Sequence, residues 1–224
     1  MRCLLAGAGG IVAGGLATWW AGLIAAAVVL VVHSIYLHNR PGPVRNWRMG
    51  ALAERRTARR LATLDPTAFR VLHDRALPGA PSVNLDHLVI GLTGAYVIAS
   101  RRWTLGVRLW SDRHRLWVGG RPIVHLQAAT ARAAHAVAER LTAELDHDVP
   151  VFPLVAVHGA RVPRRGLRHG GVMFQRARRV SHFIHEHPVV FTTAQIAEIV
   201  IAAERAFPPM LRIRDRIADR HTIA

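Results

Sequence analysis

The chain has 224 residues, enough for a domain with its own hydrophobic core, and carries 30 basic against 14 acidic residues, a formal net charge of +16. Every basic residue is arginine, which excludes a lysine base or Schiff-base chemistry, because arginine is not deprotonated in proteins. The single cysteine, Cys3, excludes an intrachain disulfide and fits a reducing compartment, while the charge calls for an anionic partner, either nucleic acid or anionic lipid headgroups.

In chain order, residues 3–32 carry no charge. Residues 11–36 are long enough to cross a bilayer as one helix, which predicts a transmembrane anchor over residues 1–38. Trp19 and Trp20 leave open a second arrangement, two short spans over 4–17 and 21–36 with the tryptophans at the turn. Arg40, Arg45, Arg48, Arg55 and Arg56 follow the span, against Arg2 alone before it. The positive-inside rule then predicts a single-pass protein of the cell membrane with its C-terminal domain cytoplasmic. A Pro/Arg linker over 39–48, a domain over 49–207 and a charged tail over 208–224 complete the expected organisation.

Residues 50–64 read as a helix with Ala51, Glu54, Ala58 and Leu61 on its inner face and Arg55, Arg56, Arg59 and Arg60 outside. Strands are predicted over 68–77, 83–90 and 95–100, the last two joined through Gly91-Leu92-Thr93-Gly94. Short strands near 106–110 and 115–117 lead to a helix over 126–145 and a buried strand over 151–157. A strand near 172–174 and a helix over 192–207, capped by Thr192, follow. This order is an α/β sandwich around a mixed sheet.

Aspartate is depleted in strands, yet Asp86 sits inside Leu85-Asp86-His87-Leu88. With Leu92 and Thr93 as the turn, facing residues have numbers that sum to 185. Asp86 then stands opposite Ala99 and Asn84 opposite Arg101, all four side chains on one face. Glu54 is the carboxylate expected to reach that face from the helix above it. His87 points to the opposite face and is expected to be packed.

Ala53-Glu54-Arg55-Arg56-Thr57-Ala58, Val71-Leu72-His73-Asp74, Asn84-Leu85-Asp86-His87-Leu88-Val89-Ile90-Gly91 and Gly94-Ala95-Tyr96-Val97-Ile98 resemble, in order and spacing, the nuclease-related domain (NERD) family over roughly residues 49–125. Val157-His158-Gly159-Ala160-Arg161-Val162-Pro163 resembles a later segment of actinobacterial-type members. The resemblance implies a PD-(D/E)xK restriction-endonuclease-like α/β/α sandwich with a central mixed sheet, here after the transmembrane helix expected from the apolar run. It also implies DNA cutting with Mg²⁺ held by carboxylates, Glu54 and Asp86 by position, and an acid-x-lysine on the next strand. There this chain reads Ala99-Ser100-Arg101. Ala99 removes a metal ligand, and Arg101 keeps a positive charge that can pair with Asp86 across the hairpin.

Three functions stay open on these residues. In the first, the catalytic motif is eroded and the protein binds DNA without sequence preference at the cytoplasmic membrane face. In the second, it is an Mg²⁺ nuclease in which Asp112, Glu139 or Glu144 replaces the missing carboxylate. In the third, it is a structural protein whose arginines hold it on the lipid bilayer. Candidate nucleic-acid contacts are Arg102, Arg113 and Arg115, interleaved with Trp103, Trp110 and Trp117, and the basic loop with Arg161, Arg164 and Arg165. The tryptophans equally suit a core. His182, His185, Glu186 and His187 read either as a Zn²⁺ site or as a solvated helix end.

Overall fold

The computed structural model describes residues 19–39, 43–78 and 80–210. The chain divides into two compact units, Met1–Trp47 and Arg48–Ala224. The first contains helix α1 (Trp19–Asn39), with Ile24, Val28 and Val32 exposed. Among the described residues no helix is long and apolar enough to cross a membrane. The expected transmembrane anchor is corrected on this ground, and with it the single-pass placement, the cytoplasmic orientation and the lipid-bilayer partner. The earlier of the two alternative short spans, residues 4–17, lies outside the described residues, as do residues 40–42 of the expected linker and 211–224 of the tail; residues 43–48 of that linker are helical.

Helix α2 (Pro43–Leu61) starts earlier than the sequence suggests, with Pro43 in the first turn, where its missing N–H is no loss. In its described part the fully buried positions are Ala53, Thr57 and Leu61, spaced four apart. The inner stripe is therefore rotated one residue from the expected Ala51–Glu54–Ala58 face, and Glu54 sits half-buried on its flank.

Strands β1 (Phe69–Leu77), β2 (Ala80–Gly91) and β3 (Gly94–Arg102) form an antiparallel meander. The β2–β3 pairs run from His87–Ile98 to Gly91–Gly94, which is the expected register with Leu92 and Thr93 as the turn. β4 (Leu109–Ser111), β5 (Leu116–Val118) and β6 (Arg121–Ile123) make a separate small sheet. Helix α3 (Leu126–Leu145) is followed by β7 (Val151–His158), which joins β3 in parallel, then β8 (Leu167–His169) and β9 (Val172–Arg176). The main sheet runs β1-β2-β3-β7-β9-β8 and is mixed. A 3-10 turn (Ala177–Arg179), α4 (Val180–His185) and α5 (Thr193–Ala206) close the described part. Thr192 and Gln195 form a reciprocal capping box at the start of α5.

Alternation along the strands sends side chains to two apolar layers. Leu88, Ile90, Ala95 and Val97 pack with Val137 and Leu141 of α3 and Ile199 of α5. On the other face Val89, Tyr96, Ile98 and Leu154 pack with Leu61 of α2 and Val180 and Ile184 of α4. Leu109 and Leu116 of the small sheet bury against Val155, Val157 and Phe174. The architecture is an α/β fold with helices on both faces of a mixed sheet.

One irregularity bears on the site. Asp74 has a left-handed φ of 50°, between the pairs His73–His87 and Arg75–Leu85. Leu85 and Leu88 then share one core cluster although strict alternation would part them. The expected common face of Asn84, Asp86, Ala99 and Arg101 is broken at this bend.

Candidate functional site

Asp86 lies just beyond the last β2–β3 pair, His87–Ile98. Its Oδ2 accepts the Ser100 backbone N–H at 2.7 Å, extending the ladder with a side chain, and lies 3.3 Å from Nη1 of Arg101. The Asp86 side chain is 10% exposed, the Arg101 side chain 45%. Burial raises the Asp86 pKa above the usual carboxylate range, against the lowering effects of the Ser100 amide and the Arg101 charge. Glu54 is also raised, first by burial and then by Asp86 and Asp74, with Arg101 opposing. Asp74 therefore joins the acidic neighbourhood, a residue that sequence reasoning placed in a motif but gave no role.

These groups do not make a metal centre. Among the described residues no group of three or more His, Cys, Asp or Glu is placed to hold an ion. Asp86 Oδ2 is taken by an amide and a guanidinium, and the Ala99 side chain has no ligand atom. Mg²⁺ does not fit this donor set. The proposed replacements for the missing carboxylate are engaged elsewhere: Asp112 accepts the Trp117 indole N–H and two backbone amides, Glu139 pairs with His135, and Glu144 with Arg140. The Mg²⁺-nuclease reading with a displaced carboxylate is corrected accordingly. The Zn²⁺ reading fails similarly, because His182 pairs with Glu186 at 2.9 Å, His185 stands edge-on to Phe69, and His187 packs on Phe183.

Under α2, a buried polar chain crosses the sheet. His73 Nδ1 and His87 Nδ1 are 2.8 Å apart, and His87 Nε2 lies 3.3 Å from Ser100 Oγ. Ser100 Oγ donates to Thr57 Oγ1 at 2.8 Å, and Thr57 Oγ1 lies 2.9 Å from His158 Nε2. Thr57 also donates to the Ala53 carbonyl at 3.1 Å. Burial and the nearby His73 push His87 down to about 3, with the Glu54 carbonyl opposing. His158 is pushed down to about 4, by burial and then by Arg56, Arg102 and Arg60. Both imidazoles are neutral near pH 7. His87 is packed, as its position suggests, and it is packed by hydrogen bonds as well as by apolar neighbours.

His158 opens into a cavity of about 380 Å³ lined by Arg56, Arg59 and Arg60 of α2 and Arg178 of the 3-10 turn, with no carboxylate in its wall. Spacing of three and four residues puts the three α2 arginines on one helix face. A groove of about 490 Å³ continues from His158 and Arg178 past Arg176 to Arg161, and a third of about 400 Å³ runs from Arg161 to Arg108. Of the sequence candidates, Arg161 lines this band, and Arg102 stands beside His158 in the β3–β7 pairing. Arg164 and Arg165 line a different cavity, with Arg179. Arg113 and Arg115 are exposed on the small sheet, where Trp110 and Trp117 stack on each other at 5.4 Å and 7°. Trp103 packs against the third core cluster.

Residues 49–158 match the family model of NERD, the nuclease-related domain. This stretch is similar to a NERD domain. It begins at the described part of α2 and ends at His158, so it takes in Glu54, the polar chain and the Asp86–Arg101 pair. No curated protein and no solved structure matches the chain. The narrower expectation of a PD-(D/E)xK restriction-endonuclease-like, actinobacterial-type anchored protein is therefore corrected to a likeness to NERD over residues 49–158, in an α/β fold with a mixed sheet. The matched segment supplies three of the arginines in the first cavity; Arg178 comes from the chain beyond it.

Proposed function

We propose that this NERD-like protein holds nucleic acid through its phosphate backbone, without reading base sequence, and does not cut it. The observation that carries the reading is the carboxylate-free cavity where Arg56, Arg59, Arg60 and Arg178 converge around His158 and continue as a cationic groove toward Arg161. Four guanidiniums offer the planar donors that suit phosphate oxygens, and a depressed His158 adds an uncharged ring rather than further repulsion. The occupation of Asp86 by Arg101 and the amide of Ser100 supports binding over hydrolysis.

The test is binding of labelled duplex DNA of mixed sequence by the full chain, across a salt series with EDTA present. Affinity falls linearly on a double-logarithmic plot, and Arg59→Ala with Arg60→Ala lowers the slope by about two units, close to one per lost phosphate contact. Binding independent of salt, or of these two arginines, overturns the reading.

A further inference from the structure

The largest of these cavities, about 670 Å³, shares no lining residue with the cationic band and is lined by Arg164, Arg165, Gln175, Arg179, Phe183 and His187 among others. Its volume is that of a small-molecule site. Three features distinguish it from a merely basic hollow. None of its three arginines forms an ion pair with a described residue, and the one acid in its wall, Glu186, is paired with His182. Gln175 is 2% exposed, and its Oε1 accepts the Arg176 backbone N–H at 2.8 Å, while Nε2 has no hydrogen-bond partner among the described residues. His187 donates from Nδ1 to the Phe183 carbonyl at 2.8 Å, so the proton of a singly protonated ring sits on Nδ1 and its Nε2, without a partner among the described residues, is the acceptor. The wall thus offers an amide NH2 and a ring nitrogen beside Phe183, whose ring meets His187 edge-on at 4.5 Å.

A donor and an acceptor beside an aromatic ring, with three free guanidiniums, match a heterocycle joined to an anion. We propose that this cavity seats one nucleoside monophosphate unit, its base against Phe183 with its edge on Gln175 and His187, its phosphate on Arg164, Arg165 and Arg179. Every nucleobase presents an adjacent donor and acceptor, so the site does not select among them. The unit is either a free mononucleotide or the phosphorylated end of a strand. The proposal extends the nucleic-acid reading but does not depend on the α2 arginines.

The experiment is calorimetric titration of the full chain with deoxyadenosine monophosphate, with adenosine, with inorganic phosphate, and with a short single strand with and without a 5′-phosphate. The mononucleotide binds at least tenfold tighter than adenosine or phosphate. Arg165→Ala, at an exposed position, weakens it about tenfold. Gln175→Glu, which keeps the Oε1 acceptor but replaces the donor with charge, does the same while thermal melting reports an intact fold. Arg59→Ala with Arg60→Ala leaves mononucleotide binding unchanged, so the two proposals fail separately. Preference for the 5′-phosphorylated strand over the free mononucleotide identifies a strand end, and the reverse identifies the free nucleotide. Equal affinity for phosphate and mononucleotide, or a mononucleotide affinity indifferent to Arg165→Ala and Gln175→Glu, overturns the proposal.

Discussion

The Arg101 guanidinium lies 3.3 Å from the Asp86 carboxylate, which also accepts the Ser100 amide at 2.7 Å, yet burial still holds the Asp86 pKa above its ordinary value. A raised pKa means that the folded chain binds this proton more readily than the unfolded one. The carboxylate therefore costs stability at neutral pH, and the cost fades as pH falls to the ordinary carboxylate range and below. Asp86→Asn keeps an oxygen for the Ser100 amide and removes the charge. Urea unfolding at pH 7 should show the variant as stable as the parent or more so, with the difference shrinking on acidification. A loss of more than about 1 kcal/mol at pH 7 would mean that the Arg101 pair outweighs burial.

Thr57 is the node of the polar chain, accepting from Ser100 and contacting His158 while donating to Ala53. Thr57→Val keeps the shape of the side chain and leaves the Ser100 hydroxyl and the His158 ring nitrogen without it. The expected loss is about 1–3 kcal/mol in urea unfolding, the usual penalty for stranding buried polar groups, while Thr57→Ser retains most of the stability. A neutral Thr57→Val would show that water or a rearranged His158 replaces the hydroxyl.

This node also shows what was legible in the sequence. The β2–β3 register and the Thr192 cap follow from turn and capping chemistry that acts within a few residues. Helix α3 follows from its alanine-rich composition. The inner stripe of α2 lies one residue from the face its apolar spacing suggests, because Thr57 amid arginines looks like a surface residue and only its partners Ser100 and His158, distant in sequence, make it a core one. The spacing of four between Ala53, Thr57 and Leu61 was the available signal. The convergence of Arg56, Arg59 and Arg60 with Arg178 had none, since the arginines come from opposite ends of the domain. Strands β6 and β8, three residues each, are too short to carry a period.

His87 sets the sign of a second pH effect. Its pKa is pushed down to about 3 by burial and by His73, from an ordinary 6.5. Between those values the unfolded chain takes up a proton that the folded chain refuses. Its contribution is complete above about pH 6.5 and is lost as pH falls toward 3, with a slope of about 1.4 kcal/mol per pH unit. Asp86 and Glu54, shifted upward, oppose this as they protonate. Urea midpoints measured at pH 7, 6 and 5 should fall more steeply for the parent than for His87→Gln. Parallel lines would place His87 in contact with solvent.

Gly159 ties the cationic cavity to the strand that ends at His158. Its φ is +82°, and a Cβ there would come within 2.1 Å of the Trp103 carbonyl oxygen. The close approach exists because the Trp103 amide donates to the His158 carbonyl at 3.0 Å and the Gly106 amide to the Gly159 carbonyl at 3.1 Å, fastening the segment after β3 to the end of β7. Gly159→Ala therefore carries two costs, the left-handed backbone, of order 1–3 kcal/mol, and a backbone overlap that only movement relieves. Gly106→Ala is the control, with φ +85° and nothing within 4 Å of its Cβ, so it carries the first cost alone. Urea unfolding should rank parent, Gly106→Ala and Gly159→Ala in falling order of stability. Because relief of the overlap shifts His158 and Arg161, only Gly159→Ala should also weaken DNA binding under conditions where the protein is still folded. Equal effects of the two substitutions on stability would mean that the segment after β3 yields freely, and that the cavity does not depend on its being held.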